Sequence, residues 1–109
     1  MEVSAKYEGQ ELEFQLWGEL DHHGAKGLLT SLEREIERTL PMVLVLDFSG
    51  VTFMDSSGIA VVLRVKKRME ETDGDVFLLD PAPQCARVLR TSGIERFVAI
   101  KFTEGKAAR

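Results

Sequence analysis

Between Pro41 and Ser49 the chain reads Met-Val-Leu-Val-Leu-Asp-Phe, an almost unbroken apolar run of strand-forming residues that begins where a proline forbids a continuing helix. Such a run predicts a central strand from Met42 to Phe48, covered on both faces and set in the middle of a sheet. A sheet covered in that way needs helices, and the flanking segments supply them.

Upstream, Val3 to Glu8 and Leu12 to Leu20 alternate apolar and polar residues about Gly9-Gln10, which predicts an antiparallel hairpin with one face buried. Leu12, Phe14 and Leu16 share that face and Trp17 falls on the other. Asp21 is a good N-cap, because its short carboxylate can accept from the free amides of a first helical turn. Leu28, Leu29, Leu32, Ile36 and Leu40 then form one apolar stripe, which predicts a helix from about His22 to Thr39.

Downstream, Ser49 to Met54 reads as a loop, and Val61, Val62, Val65 and Met69 give the core face of a second helix that ends near Thr72-Asp73-Gly74. Val76 to Leu79 reads as a short buried strand. Pro81 and Pro83 open a third helix with Ala86, Val88 and Leu89 on its core side, Ser92-Gly93 closes it, and Ala99 to Phe102 forms a last strand. Strands separated by helices make an α/β domain, a mixed sheet of four to five strands with packed helices and right-handed parallel crossovers. With 109 residues there is room for one such domain and none for a second.

Several function classes are disfavoured. The apolar run from Ile59 to Leu63 is soon interrupted by Arg64, Lys66, Lys67 and Arg68, so a bilayer-spanning helix is not expected. Met1-Glu2-Val3-Ser4 does not resemble a signal peptide, and a single cysteine, Cys85, closes no internal disulfide, so a cytoplasmic protein is expected. A net charge of -4 opposes nucleic-acid binding, and Glu70, Glu71, Asp73 and Asp75 offset the basic residues of the second helix. His22 and His23 point about 100 degrees apart on a helix and lack a spaced third ligand, so no metal is expected. A Ser-His-Asp hydrolase lacks its Gly-x-Ser-x-Gly elbow. An aspartate-phosphorylated receiver domain built on Asp47 would lack the early acidic pair that binds magnesium. No phosphate-cradling glycine loop occurs, and no cofactor is expected.

The informative segment is Met54-Asp55-Ser56-Ser57-Gly58, two hydroxyls and a carboxylate where a helix starts after the buried strand. Asp55 can serve simply as a cap, and Gly58 allows close packing. The same helix start has free amides and a positive dipole end, so a phosphate placed there is tolerated. Sequence physics alone does not rank Ser56 against Ser57.

This segment resembles the signature of the anti-sigma-factor antagonists built on the STAS domain. Gly18-Glu19-Leu20-Asp21-His22-His23 with Ala25 looks like the corresponding loop of the branch that antagonises the anti-sigma-F factor in endospore-forming bacteria. Pro81-Ala82-Pro83 and Thr91-Ser92-Gly93 extend the likeness, while Ala60 stands where many relatives have glycine and the tail after Phe102 is short for a full terminal helix. The resemblance implies a non-enzymatic partner switch. The dephosphorylated chain, expected as a monomer, binds an anti-sigma serine kinase that holds ATP or ADP, releases the sigma factor, and is inactivated by phosphorylation on Ser57. A PP2C-type phosphatase resets it. On the same resemblance Asp55 orients the loop, Asp21 borders the docking surface, and His22, Met54, Ser56, Gly58 and Ile59 support the loop or touch the partner. The alternative is a STAS interaction module of a stress-response or sensor assembly.

Overall fold

Leu12, Phe14 and Leu16 alternate with Glu11, Glu13 and Gln15, and the strand they make is the one onto which the rest of the sheet is added. The computed structural model describes residues 1–103. Its strands are β1 (Glu2–Glu8), β2 (Glu11–Leu20), β3 (Val43–Met54), β4 (Asp75–Leu79) and β5 (Ala99–Lys101). Its α-helices are α1 (His22–Thr39), α2 (Ser56–Glu70) and α3 (Pro83–Ser92), with a short 3-10 turn over Ile94–Arg96. The hairpin turn has Gly9 at φ 55° and Gln10 at φ 70°, the paired left-handed geometry that matches the twist of two antiparallel strands.

The strands lie in the order β1-β2-β3-β4-β5, with β1 antiparallel to β2 and every later pair parallel. Each crossover from β2 onward therefore steps in the same direction. Right-handed crossovers that never reverse direction put all their helices on one face. α1 packs on α2 and α2 on α3 accordingly. One core results, in which Leu12, Phe14, Leu44, Leu46, Phe48 and Leu78 meet Leu28, Leu32, Ile36, Val62, Val65, Met69 and Leu89.

Five expectations are corrected by this geometry. The central strand is expected to be covered on both faces, and among the described residues the helices pack on only one of them. Glu13, Val45, Phe77 and Ala99 stand in one row across the opposite face, where Val45 is buried outside the helix-side core and Lys101 Nζ lies 3.9 Å from the Phe77 ring centre. The hairpin buries one face of β2 only, because every residue of the edge strand β1 is exposed. Leu40, expected on the α1 stripe, is instead the left-handed C-cap at φ 48° and is 62% exposed, its amide donating to the Ile36 carbonyl. On α3 the core residues are Cys85 and Leu89, while Ala86 and Val88 are half-buried. The short tail after Phe102 lies outside the described residues beyond Thr103.

The segment Ser49 to Met54 is not a loop: β3 continues through it and pairs with β2 as far as Leu20↔Met54. Two register shifts, at Gln15/Trp17 and Gly18/Glu19, absorb the mismatch between the strands and spoil the alternation that would have revealed it. Gly50 belongs to this irregular stretch for a steric reason. A Cβ there would sit 2.5 Å from Trp17 Cδ1 and 2.6 Å from the Leu16 carbonyl oxygen.

Gly50→Ala is therefore expected to destabilise the domain by about 1–3 kcal/mol through overpacking. Gly27→Ala, in α1 where an added Cβ meets nothing within 4 Å, is expected to stabilise it by about 0.5–1 kcal/mol. Thermal unfolding of the two variants checks the pair, and shifts of the same sign would contradict the packing argument.

Candidate functional site

Parallel pairing of β2 with β3 brings Leu20 and Met54 side by side at the carboxyl ends of their strands. Each is followed by an aspartate, Asp21 or Asp55, in extended conformation, and each aspartate starts a helix. The two helix amino ends thus open at one edge of the sheet, where ligands and partners of α/β proteins usually meet the fold.

Both aspartates are caps. Asp21 Oδ1 accepts from the Gly24 amide at 2.8 Å, and Asp55 Oδ1 accepts from the Ser57 amide at 2.8 Å. The Gly24 hydrogen bond holds the Asp21 carboxyl below its ordinary pKa. Because the folded value is the lower one, this cap's contribution is present above the ordinary carboxylate range and is lost as pH falls through the folded value. The Asp55 amide reaches back to the Leu20 carbonyl at 3.4 Å, which ties the turn to β2, and the Asp55 carbonyl accepts from the Gly58 amide at 3.0 Å, which closes the first turn of α2.

Gly58 sits where α2 presses on the strand ends. A Cβ there would lie 2.7 Å from Met54 Cε and 2.9 Å from Leu20 Cγ. Met54 is 1% exposed. Met54 and Gly58 therefore support the site from beneath and do not line its surface.

Ser56 is exposed and Ser57 half-buried, and they face different grooves. Ser57 lies in a groove of about 320 Å³ between α1 and α2, with His22, Lys26 and Arg64 on its polar rim and Ala25, Leu29 and Val61 among its apolar lining. Ser56 lies in a groove of about 390 Å³ between α2 and α3, with Ile59, Val88 and Arg87. Lys26 and Arg64 line the same groove as Ser57, and the amino end of α2 opens beside it, a setting that tolerates an added anion. The structure thus brings together Asp21, His22, Asp55 and Ser57, with Ser56 and Ile59 turned toward the neighbouring groove.

The residues weighed for other chemistries fall elsewhere. His23 faces away from His22, into a depression beside Met1 and Val3, and among the described residues no cluster of three His, Cys, Asp or Glu side chains could hold a metal. Asp47 lies within β3, well short of its carboxyl end, and accepts from the Ser49 amide at 2.9 Å. Cys85 is fully buried, and burial pushes its thiol pKa up, which disfavours the reactive thiolate.

Gln84 carries no sequence signal and is nevertheless part of the site. From the first turn of α3 its Oε1 accepts from the Met54 amide at 3.0 Å, and its Nε2 donates to the Met54 carbonyl at 2.9 Å. The two prolines before it, Pro81 and Pro83, fix where that turn begins.

Comparison with known proteins agrees with this geometry. Residues 3–107 match the family model of the STAS domain. An anti-sigma F factor antagonist of Lysinibacillus sphaericus is 32% identical over 80 residues, spanning 73% of this chain and 68% of the relative. The anti-sigma F factor antagonist of Paenibacillus polymyxa is 32% identical over 93 residues, 85% of this chain and 80% of the relative. Among solved structures, the anti-sigma factor antagonist SpoIIAA in its unphosphorylated form superposes with a TM-score of 0.83 at 25% identity, covering 98% of this chain and 92% of that one. The Bacillus cell fate determinant SpoIIAA in its phosphorylated form gives 0.74 at 25% identity, covering 98% and 96%. With its five-stranded mixed sheet, its paired aspartate-capped helix starts and these relatives, the chain belongs to the STAS domain family.

Proposed function

We propose that this protein is an anti-sigma-factor antagonist: in its dephosphorylated form it binds an anti-sigma serine kinase and releases the sigma factor, and phosphorylation of Ser57 by that kinase ends the interaction. A PP2C-type phosphatase restores the active form. The observation that carries the reading is the position of Ser57, in the first turn of α2, its amide held by Asp55 and its side chain in the groove shared with α1. Relatives named anti-sigma F factor antagonists, and a structural relative solved in both unphosphorylated and phosphorylated forms, support it.

The physics of the switch is electrostatic. A phosphoserine adds about 1.5 to 2 negative charges at neutral pH. In the free chain that charge meets the amino end of α2 and the Lys26 and Arg64 rim, so the fold accommodates it. Against a docked partner the same charge must be desolvated, and a loss of about 3 kcal/mol weakens binding more than a hundredfold. Asp55 acts in this scheme by orienting the turn, and Asp21 and His22 border the docking surface through the start of α1. Ser56 and Ile59 extend that surface toward α3, over a support formed by Met54 and Gly58.

Incubation with the cognate anti-sigma kinase and ATP is expected to add one phosphate, mapped to Ser57 by mass spectrometry of proteolytic fragments. A phosphate found on Ser56 or on Asp47 would overturn the proposal, and an acid-labile phosphate would point to aspartate chemistry.

Ser57→Ala is expected to leave folding and kinase binding within a few-fold of the parent while abolishing modification. Ser57→Glu is expected to weaken binding by tenfold or more, because charge at the docking edge is the operative variable. Calorimetric titration of the two variants with the kinase in its nucleotide-bound form makes the comparison, and equal affinities would contradict the electrostatic mechanism.

A further inference from the structure

β4 pairs with β3 only from Val43↔Asp75 to Asp47↔Leu79. Past that point the chain leaves the sheet at Asp80, a residue at φ 52°, and β3 runs on to Met54 with no strand on that side among the described residues. Along a strand, amides of successive residues point to opposite edges. Asp55 accordingly donates toward β2, at the Leu20 carbonyl, whereas the Met54 amide and carbonyl both face α3. Met54 is buried, so its backbone polar groups need protein partners.

We propose that Gln84 is the positioning residue for the Ser57 hydroxyl: its carboxamide stands in for the missing strand, holds the Met54 peptide groups from the α3 side, and thereby sets where the Asp55-Ser56-Ser57 turn is presented. A carboxamide is the one side-chain group that copies a neighbouring peptide unit, offering one acceptor and one N–H donor at the 3.0 and 2.9 Å separations seen here. Asparagine is one methylene shorter, glutamate lacks the donor at neutral pH, and methionine lacks both groups. Between the clamped Met54 and Ser57 lie only Asp55 and Ser56, and the Ser57 amide is itself bonded to the Asp55 carboxylate. A shift of the Met54 backbone therefore passes directly to the cap and to the serine. The clamp also ties α3, which borders the Ser56 groove through Arg87 and Val88, to the serine on the far side of α2.

This inference rests on the Ser57 reading for its functional consequence, while the clamp can be tested without it. The measurements are amide hydrogen exchange on the full chain and phosphorylation kinetics with the cognate kinase at varied antagonist concentration, for wild type, Gln84→Met and Gln84→Glu. Exchange at the Met54 and Ser57 amides is expected to accelerate tenfold or more in both variants at neutral pH, with Leu46, in the centre of β3, unchanged. The phosphorylation kcat is expected to fall about tenfold with KM within about threefold. A readout specific to the clamp is pH: near pH 4 a glutamate carboxyl, ordinary pKa about 4.3, is substantially protonated and again both donates and accepts. Protection in Gln84→Glu should then return toward the wild-type value at that pH, and that in Gln84→Met should not. Unchanged exchange at Met54 and Ser57, acceleration at Leu46 by the same factor, or an unaltered kcat despite local opening would each overturn the positioning role. Absence of phosphate on Ser57 in the wild type would instead overturn the proposed function, and the exchange arm would still decide the clamp.

Discussion

The parallel pairing of β2 with β3, carried through two register shifts to Leu20↔Met54, is the constraint on which the site depends. Had β3 stopped at Phe48, where its apolar run ends, Asp55 would sit at the end of a free loop and α2 would start at no fixed place relative to α1. Because the pairing continues, two helix amino ends emerge from adjacent strands and their caps share one edge. Gly50 and Gly58 make the continuation possible by admitting the Trp17 ring and the Leu20 and Met54 side chains where a Cβ would collide.

The same residues serve the fold and the site. Asp55 lowers the free energy of the helix start by satisfying the Ser57 amide, and in doing so fixes the backbone of the residue whose hydroxyl reaches the groove. A cap of this kind is a local device, worth on the order of 1 kcal/mol. The same turn is tied to the Leu20 carbonyl through the Asp55 amide.

Much of this was readable from residues alone. The α1 boundaries followed from Asp21, the apolar stripe and Pro41, and the core side of α2 from Val61, Val62, Val65 and Met69, because periodicity and caps act locally. Three things were hidden. The strand character of Ser49 to Met54 depends on bulges opposite it in β2. The gathering of the described helices on one sheet face depends on the order in which strands are added. Gln84 acts across thirty positions of sequence, on a peptide group that has lost its strand neighbour. Leu40 misled for a related reason, since its spacing fits the stripe but the helix ends there in a left-handed turn.

Adjacent helical residues project about 100 degrees apart, and here that rotation sends Ser56 and Ser57 into separate grooves on either side of α2. A molecule arriving over α1 meets one of two chemically identical alcohols, and a molecule arriving over α3 meets the other. Any discrimination between them is thus a matter of compass bearing, set by the winding of the helix, because side-chain chemistry is the same at both positions.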